Sequence, residues 1–306
     1  MAEAEAHRNK ITNLIVALNN KLQNGNRVKL DFSRVKKVYP GGMLYLLSHL
    51  EWLCELYPRR IKATVTPRSV VSKLLVQFGM AARMNINPDM SKPTAESVVQ
   101  WQYRTGTEAD GSPVRAALQE YRQKTTWSIP DDLYAVISEG IDNVADHAYK
   151  LDEELPPKWK RWWMFAGLQE PSPTEVGGLY VALYDFGNGI PETMRLKLIL
   201  KEYVLDVYDN VKRVFTMNGT ALEKRLLGHA IERRRSSTGQ DHRGRGLPEM
   251  KKFIENTPDG QMYVVSGLAE YRYTHGASQG QVKGCEQMFP GTLVLWSIPL
   301  TPSEDI

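Results

Sequence analysis

Glu139 and Asn143 lie four residues apart in the stretch LYAVISEGIDNVADHAY, residues 133–149. On a helix that spacing puts both side chains on one face, one turn apart. A carboxylate in that position can orient or deprotonate a nucleophile, and an amide oxygen beside it can ligate a hard cation. Asp142 and Asp146 flank the pair. The same pattern also describes a solvated helix face with incidental acids, so the chemistry depends on what else the chain brings to this helix. Two further sets qualify. Asp185, Gly187 and Gly189 spell D-x-G-x-G, and Gly244-Arg245-Gly246-Leu247 spells G-x-G-L. Alone, the first reads as a tight turn at a strand end and the second as a packing device before a helix.

The elements that must position these residues follow from hydrophobic spacing. Leu133, Val136, Ile137, Ile141, Val144 and Ala148 form one apolar stripe, which predicts a helix over 133–149. Pro130 suits its first turn, and Asp131 and Asp132 complement the positive end of its dipole. Trp162, Met164 and Ala166 alternate, as do Leu179, Val181 and Leu183, so two strands are expected, the second running into Asp185. Leu247, Met250, Phe253 and Ile254 share one face of a helix opened by Gly246. Between these sets, residues 194–243 are charged and helix-forming rather than sheet-forming. QMYVVSG, EYRYTHG and GTLVLWSIPL read as three closing strands. The expected architecture is a layer of helices on a mixed, mostly antiparallel sheet.

The order E-x-x-x-N on a helix, D-x-G-x-G after a strand, a long insert, then G-R-G-L opening a helix resembles the GHKL ATPases, built on the Bergerat fold. SEGIDNVADHAY, YDFGNGIP and GRGLPEM stand where that family has its N, G1 and G2 boxes, and the resemblance covers residues 128–300. The helix most resembles the serine-kinase branch of anti-sigma factors, whose box also runs acid, three residues, Asn, then His. The resemblance implies ATP and Mg²⁺ as ligands. It makes Glu139 the general base or water-orienting residue, Asn143 the magnesium ligand and Asp185 the acceptor for the adenine amine. Gly187 and Gly189, with Ile190 beside them, would let the backbone approach the base. Arg243, Gly244, Arg245, Gly246 and Leu247 would lie at the phosphates, and residues 194–243 would form an ATP lid. The chemistry agrees: a carboxylate accepts from an exocyclic amine but not from a carbonyl, and amides at a helix start hold anions. Pro248 departs from the family's G2 pattern, which has a small or flexible residue there. Arg243 and Arg245 either stabilise transferring charge or are solvated. Arg233-Arg234-Arg235 reads as a solvated face rather than a nucleic-acid patch, and His147 as a packing residue. No G-x-x-x-x-G-K-[ST] is present, which excludes a P-loop.

Ahead of that region, Ile11, Leu14, Ile15, Leu18 and Leu22 predict a helix near 6–23. RVKLDFS and IKATVTP read as strands, Pro40-Gly41-Gly42 as a sharp turn, and a strongly apolar helix and a shorter one complete an α/β layer over 24–84. LDFSRVKKVYPGGMLYLL resembles the STAS, or anti-anti-sigma, fold. Partner-switching STAS proteins carry a phosphorylatable Ser at the turn where this chain reads Tyr39-Pro40-Gly41-Gly42, so that role is not carried over. The expected division is a STAS-like α/β domain over 1–90, a connecting segment over 91–127 holding a helix at VRAALQEYRQK, and an α+β two-layer Bergerat sandwich over 128–306.

At 306 residues two domain cores are affordable, and the composition, 42% hydrophobic and 24% charged, is that of a globular chain. A net charge of +4 does not indicate nucleic acid, and two distant cysteines suggest neither a disulfide framework nor a zinc site. No apolar run approaches a membrane span. The expectation is a cytoplasmic protein that hydrolyses ATP with Mg²⁺ to close a lid and switch a protein partner, with homodimerisation open. A Ser/Thr kinase of the partner-switching kind and a non-catalytic ATP-gated module are the alternatives.

Overall fold

The computed structural model describes residues 2–35, 38–86, 101–124, 128–149, 155–169, 177–199, 219–232 and 246–300. The chain divides into two units, Met1–Tyr103 and Arg104–Ile306. Among the described residues no helix is long and apolar enough to cross a membrane.

In the first unit, α1 (Ala2–Gln23) precedes β1 (Val28–Asp31), α2 (Pro40–Leu56) and β2 (Ile61–Thr64). The two strands pair in parallel, Val28 opposite Ile61 and Asp31 opposite Thr64, with α2 as the crossover. Leu44, Leu47, Leu50 and Leu53 of α2 are buried, which is why this helix reads as almost continuously apolar. Pro40-Gly41-Gly42 is not a turn ahead of α2 but its first turn. Proline is preorganised for that position, where its missing N–H costs nothing. Ser69 caps α3 (Val70–Gln77) by accepting from the Ser72 amide at 3.2 Å, and the short α4 (Met80–Arg83) follows.

The second unit is built on a five-stranded sheet of order β3-β4-β5-β7-β6: β3 (Trp101–Gly106), β4 (Trp162–Gln169), β5 (Gly178–Asp185), β6 (Gln261–Thr274) and β7 (Gln281–Pro299). The registered pairs β4–β5, β5–β7 and β7–β6 are all antiparallel. Met164, Val181, Leu183, Val264 and Trp296 point to one face, where they pack with Leu133, Ile137 and Ile141 of α6 (Leu133–Asn143) and with Met250 and Ile254 of α9 (Gly246–Glu255). Their neighbours Trp163, Phe165, Ala182 and Tyr184 are buried as well, so β4 and β5 are apolar at nearly every position. Helices α7 (Ile190–Ile199) and α8 (Gly219–Glu232) lie in the insert. The remainder of the expected lid falls outside the described residues.

Three further expectations change. Residues 104–124 belong to the second unit. In α5 (Ser112–Lys124), Val114, Leu118 and Tyr121 enter its core, and the Tyr121 hydroxyl donates to the Ala166 carbonyl at 2.7 Å. The three closing strands are two long ones. Gly267 (φ +61°) and Gly291 (φ +74°), which look like turn residues, sit at irregularities where the β6–β7 register shifts while pairing continues on both sides. The helix carrying Glu139 is α-helical only to Asn143, and Val144–Ala148 form a π turn.

Candidate functional site

The α6 helix and its π turn wall an open pocket with Gly140, Asn143, Val144, His147 and Ala148, one face of a helix. Asp185 and Gly189 reach it from the end of β5, and Ile190, Thr193 and Met194 from the first turn of α7. His229 comes from α8, Gly246, Leu247 and Pro248 from the start of α9, and Thr292 from β7. Residues from 42 (Asn143 and Asp185) to 152 (Gly140 and Thr292) positions apart in the chain thus share one cavity. Asn143, Asp185, Gly189, Ile190, Gly246 and Leu247 are brought together there as the sequence suggests. Glu139 stands just behind that lining. A Cβ placed on Gly246 would come within 2.7 Å of Glu139 Oε1 and would collide with the Asn143 amide. Only glycine lets α9 begin against both side chains. Arg243, Gly244 and Arg245 lie outside the described residues.

Asp185 is the last residue of β5, opposite Thr292 of β7, and is 5% exposed. The Gly187 amide donates to its Oδ1 at 2.7 Å. Burial raises its pKa to about 7, against the smaller opposing effect of backbone N–H groups of Gly187 and Thr292. A carboxyl group with no cation beside it among the described residues, facing a pocket, is suited to accept from a ligand N–H.

Most amides of the loop after Asp185 already have acceptors within the protein. The Phe186 amide donates to the Tyr149 hydroxyl at 3.1 Å, Asn188 to the Ala148 carbonyl at 2.7 Å, and Ile190 to Ser266 Oγ at 2.9 Å. A Cβ on Gly187 would collide with the backbone of Ala148. One on Gly189 (φ +83°) would approach Ser266 Oγ to 2.8 Å. Both glycines were expected to admit a base. The space a side chain would occupy is taken instead by the π turn and by β6, and Gly187 is not among the pocket-lining residues. Sequence reading missed Tyr149, Ser266 and Thr292. The available signal was Ser266 itself, a polar residue inside the apolar strand MYVVSG, which proves fully buried.

The other end of the pocket is less complete. The N-terminus of α9 lies there, with Pro248 in the first turn where no N–H is required, so this departure from the G2 pattern costs the helix nothing. First-turn amides lack partners within their own helix and attract anions. Burial raises the Glu139 pKa, and Asp142, Glu249 and Asp146 add to the effect. Among the described residues, Asn143 Nδ2 is buried with no hydrogen-bond partner, a donor that costs free energy unless an acceptor such as a phosphate oxygen completes it. Among the described residues, no group of three or more His, Cys, Asp or Glu side chains is arranged to hold a metal ion. A hard cation here would therefore combine the Asn143 amide with oxygens from its ligand and from water, a donor set typical of Mg²⁺ bound with phosphates.

No protein-family model matches the chain, and no curated protein matches it.

Proposed function

We propose that the second unit binds ATP with Mg²⁺ and hydrolyses it, using the cycle to switch a protein partner. The observation that carries this reading is the placing of a buried carboxyl, Asp185, at one end of a pocket whose other end joins Asn143, Glu139 and the start of α9. Asp185 accepts from the exocyclic amine of adenine. The first turn of α9 receives the phosphates, and Asn143 contributes an oxygen to the cation. Bound Mg²⁺ supplies charge neutralisation on the phosphate oxygens. Glu139, whose proton affinity is raised by burial and neighbouring acids, takes the proton of the attacking water. The family reading remains that of GHKL proteins of the Bergerat fold, with a STAS-like first unit containing a β-α-β crossover.

Purified protein is incubated with Mg²⁺ and γ-labelled ATP, and the label is separated into free phosphate and phosphoprotein. Free phosphate that disappears in Glu139→Gln is the expected result. Label on protein would replace hydrolysis by phosphoryl transfer to an acceptor. ATP binding without either product would reduce the reading to a nucleotide-gated module. Absence of ATP binding would overturn it.

A further inference from the structure

We propose that Tyr149 is the positioning residue that fixes Asp185 relative to Asn143. Tyr149 directly follows the π turn and is buried. Its hydroxyl donates to the Arg161 carbonyl at 2.5 Å and accepts from the Arg161 and Phe186 amides, each at 3.1 Å. One oxygen thus ties the end of the helix that carries Asn143 to the entry of β4 and to the residue after Asp185. Two contacts close the same seam beside it: the Asn188 amide on the Ala148 carbonyl at 2.7 Å, and Gly187 packed against Ala148. A π turn is the geometry that lets this happen, because its wider turn displaces Ala148 and Tyr149 from where a continuous α-helix would put them. Tyr149 itself does not line the pocket; it acts through the loop. This inference rests on the nucleotide reading only for its effect on affinity, and its effect on Asp185 is independent of any ligand.

The test is Tyr149→Phe, which keeps the ring and removes the three hydrogen bonds. Tyr121→Phe is the control, since that hydroxyl also donates to a strand carbonyl, Ala166, away from the pocket. The primary readout is the titration of the Asp185 carboxyl in ligand-free protein, followed by carboxyl ¹³C NMR and assigned with Asp185→Asn. Reading Asp185 itself separates it from His147 and His229, which also line the pocket. Burial raises the Asp185 pKa to about 7, so the wild-type midpoint is expected well above the usual carboxylate range. Tyr149→Phe admits water to the loop and lowers that midpoint by about one unit or more, while Tyr121→Phe leaves it in place. The second readout is Mg-ADP affinity, expected to fall about tenfold in Tyr149→Phe and to hold in Tyr121→Phe. An unmoved Asp185 midpoint in folded Tyr149→Phe, or equal shifts in both variants, would overturn the inference. If Tyr149→Phe does not fold, Gly187→Ala opens the same seam from its other side and must move the midpoint, upward where the Gly187 amide leaves Asp185 and downward where water enters; an unmoved midpoint there overturns the inference. A midpoint shifted by Tyr149→Phe, together with a wild-type protein that binds no nucleotide, would keep the positioning role and remove the nucleotide reading.

Discussion

The two ends of the pocket are built differently. At the Asp185 end the amides of Phe186, Gly187, Asn188 and Ile190 all have acceptors within the protein, and two glycines are clamped by neighbours. At the Glu139 end a buried amide nitrogen of Asn143 has no partner among the described residues, and acids crowd one another. On the proposed reading, the difference assigns recognition to the first end and reaction to the second. A prearranged loop around one buried carboxyl would discriminate between ligands without moving, because four of its amides are already engaged. On the same reading the ligand completes the unsatisfied end, where charge changes during the reaction.

The sharpest way to separate the two ends is to change one without the other. Glu139→Gln is expected to reduce Mg-ATP turnover by roughly 10²–10⁴-fold, the usual range for removing a general base. Nucleotide affinity measured by calorimetry should stay within about threefold. Next in size is Asp185→Asn, which is expected to weaken ADP binding by roughly 10- to 100-fold, read by the same calorimetry, because an amide nitrogen replaces one acceptor oxygen.

Asp185 also makes a pH statement of known sign. Its folded pKa is raised from 3.8 to about 7, so between those values the folded state binds more protons than the unfolded. Stability therefore falls as pH rises from about 4 to about 7, and levels off above. Asp185→Asn removes that decline. At pH 8 it should be more resistant to urea than wild type by up to ~4 kcal/mol, the full value of a three-unit shift, while binding worse. If the carboxylate is the acceptor, ADP affinity in the wild type also falls as pH drops below about 7, and the variant shows no such fall.

Smaller effects probe the seams. Gly246→Ala pushes a methyl group toward Glu139 and Asn143. It is expected to cost about 1–3 kcal/mol of stability through overpacking, with a larger fractional loss in turnover than in affinity for ADP. Ser266→Ala leaves the Ile190 amide without its acceptor. It should cost about 1–3 kcal/mol of stability in urea unfolding and weaken ADP binding no more than about tenfold, since it loosens the loop without touching the ligand.

Much of the site was legible because its residues carry chemistry at fixed local spacings. Glu139 and Asn143 declare one helix face, and D-x-G-x-G declares a strand end. Strand alternation at Trp162, Met164 and Ala166 named the face that proves to be core. What was not legible depends on partners distant in the chain. The π turn at Val144–Ala148 leaves the apolar periodicity almost unchanged, so spacing alone predicts an unbroken helix. Gly267 and Gly291 have the same conformational freedom in a bulge as in a turn, and only the partner strand decides between them. Gly187 looks like an opening for a ligand until Ala148 is seen filling it. Residues 104–124 read as a connection because the Gly-rich 105–113 stretch masks how Tyr121, eight positions later, enters a core made by β4 and α6.

The measurement that tests the central claim most directly is calorimetric binding of Mg-ADP and Mg-GDP to the wild type and to Asp185→Asn at pH 8. The expected result is one ADP per chain, GDP weaker by at least about tenfold, and loss of that preference in the variant. Equal binding of the two nucleotides, a preference unchanged by Asp185→Asn, or no binding of either would contradict it.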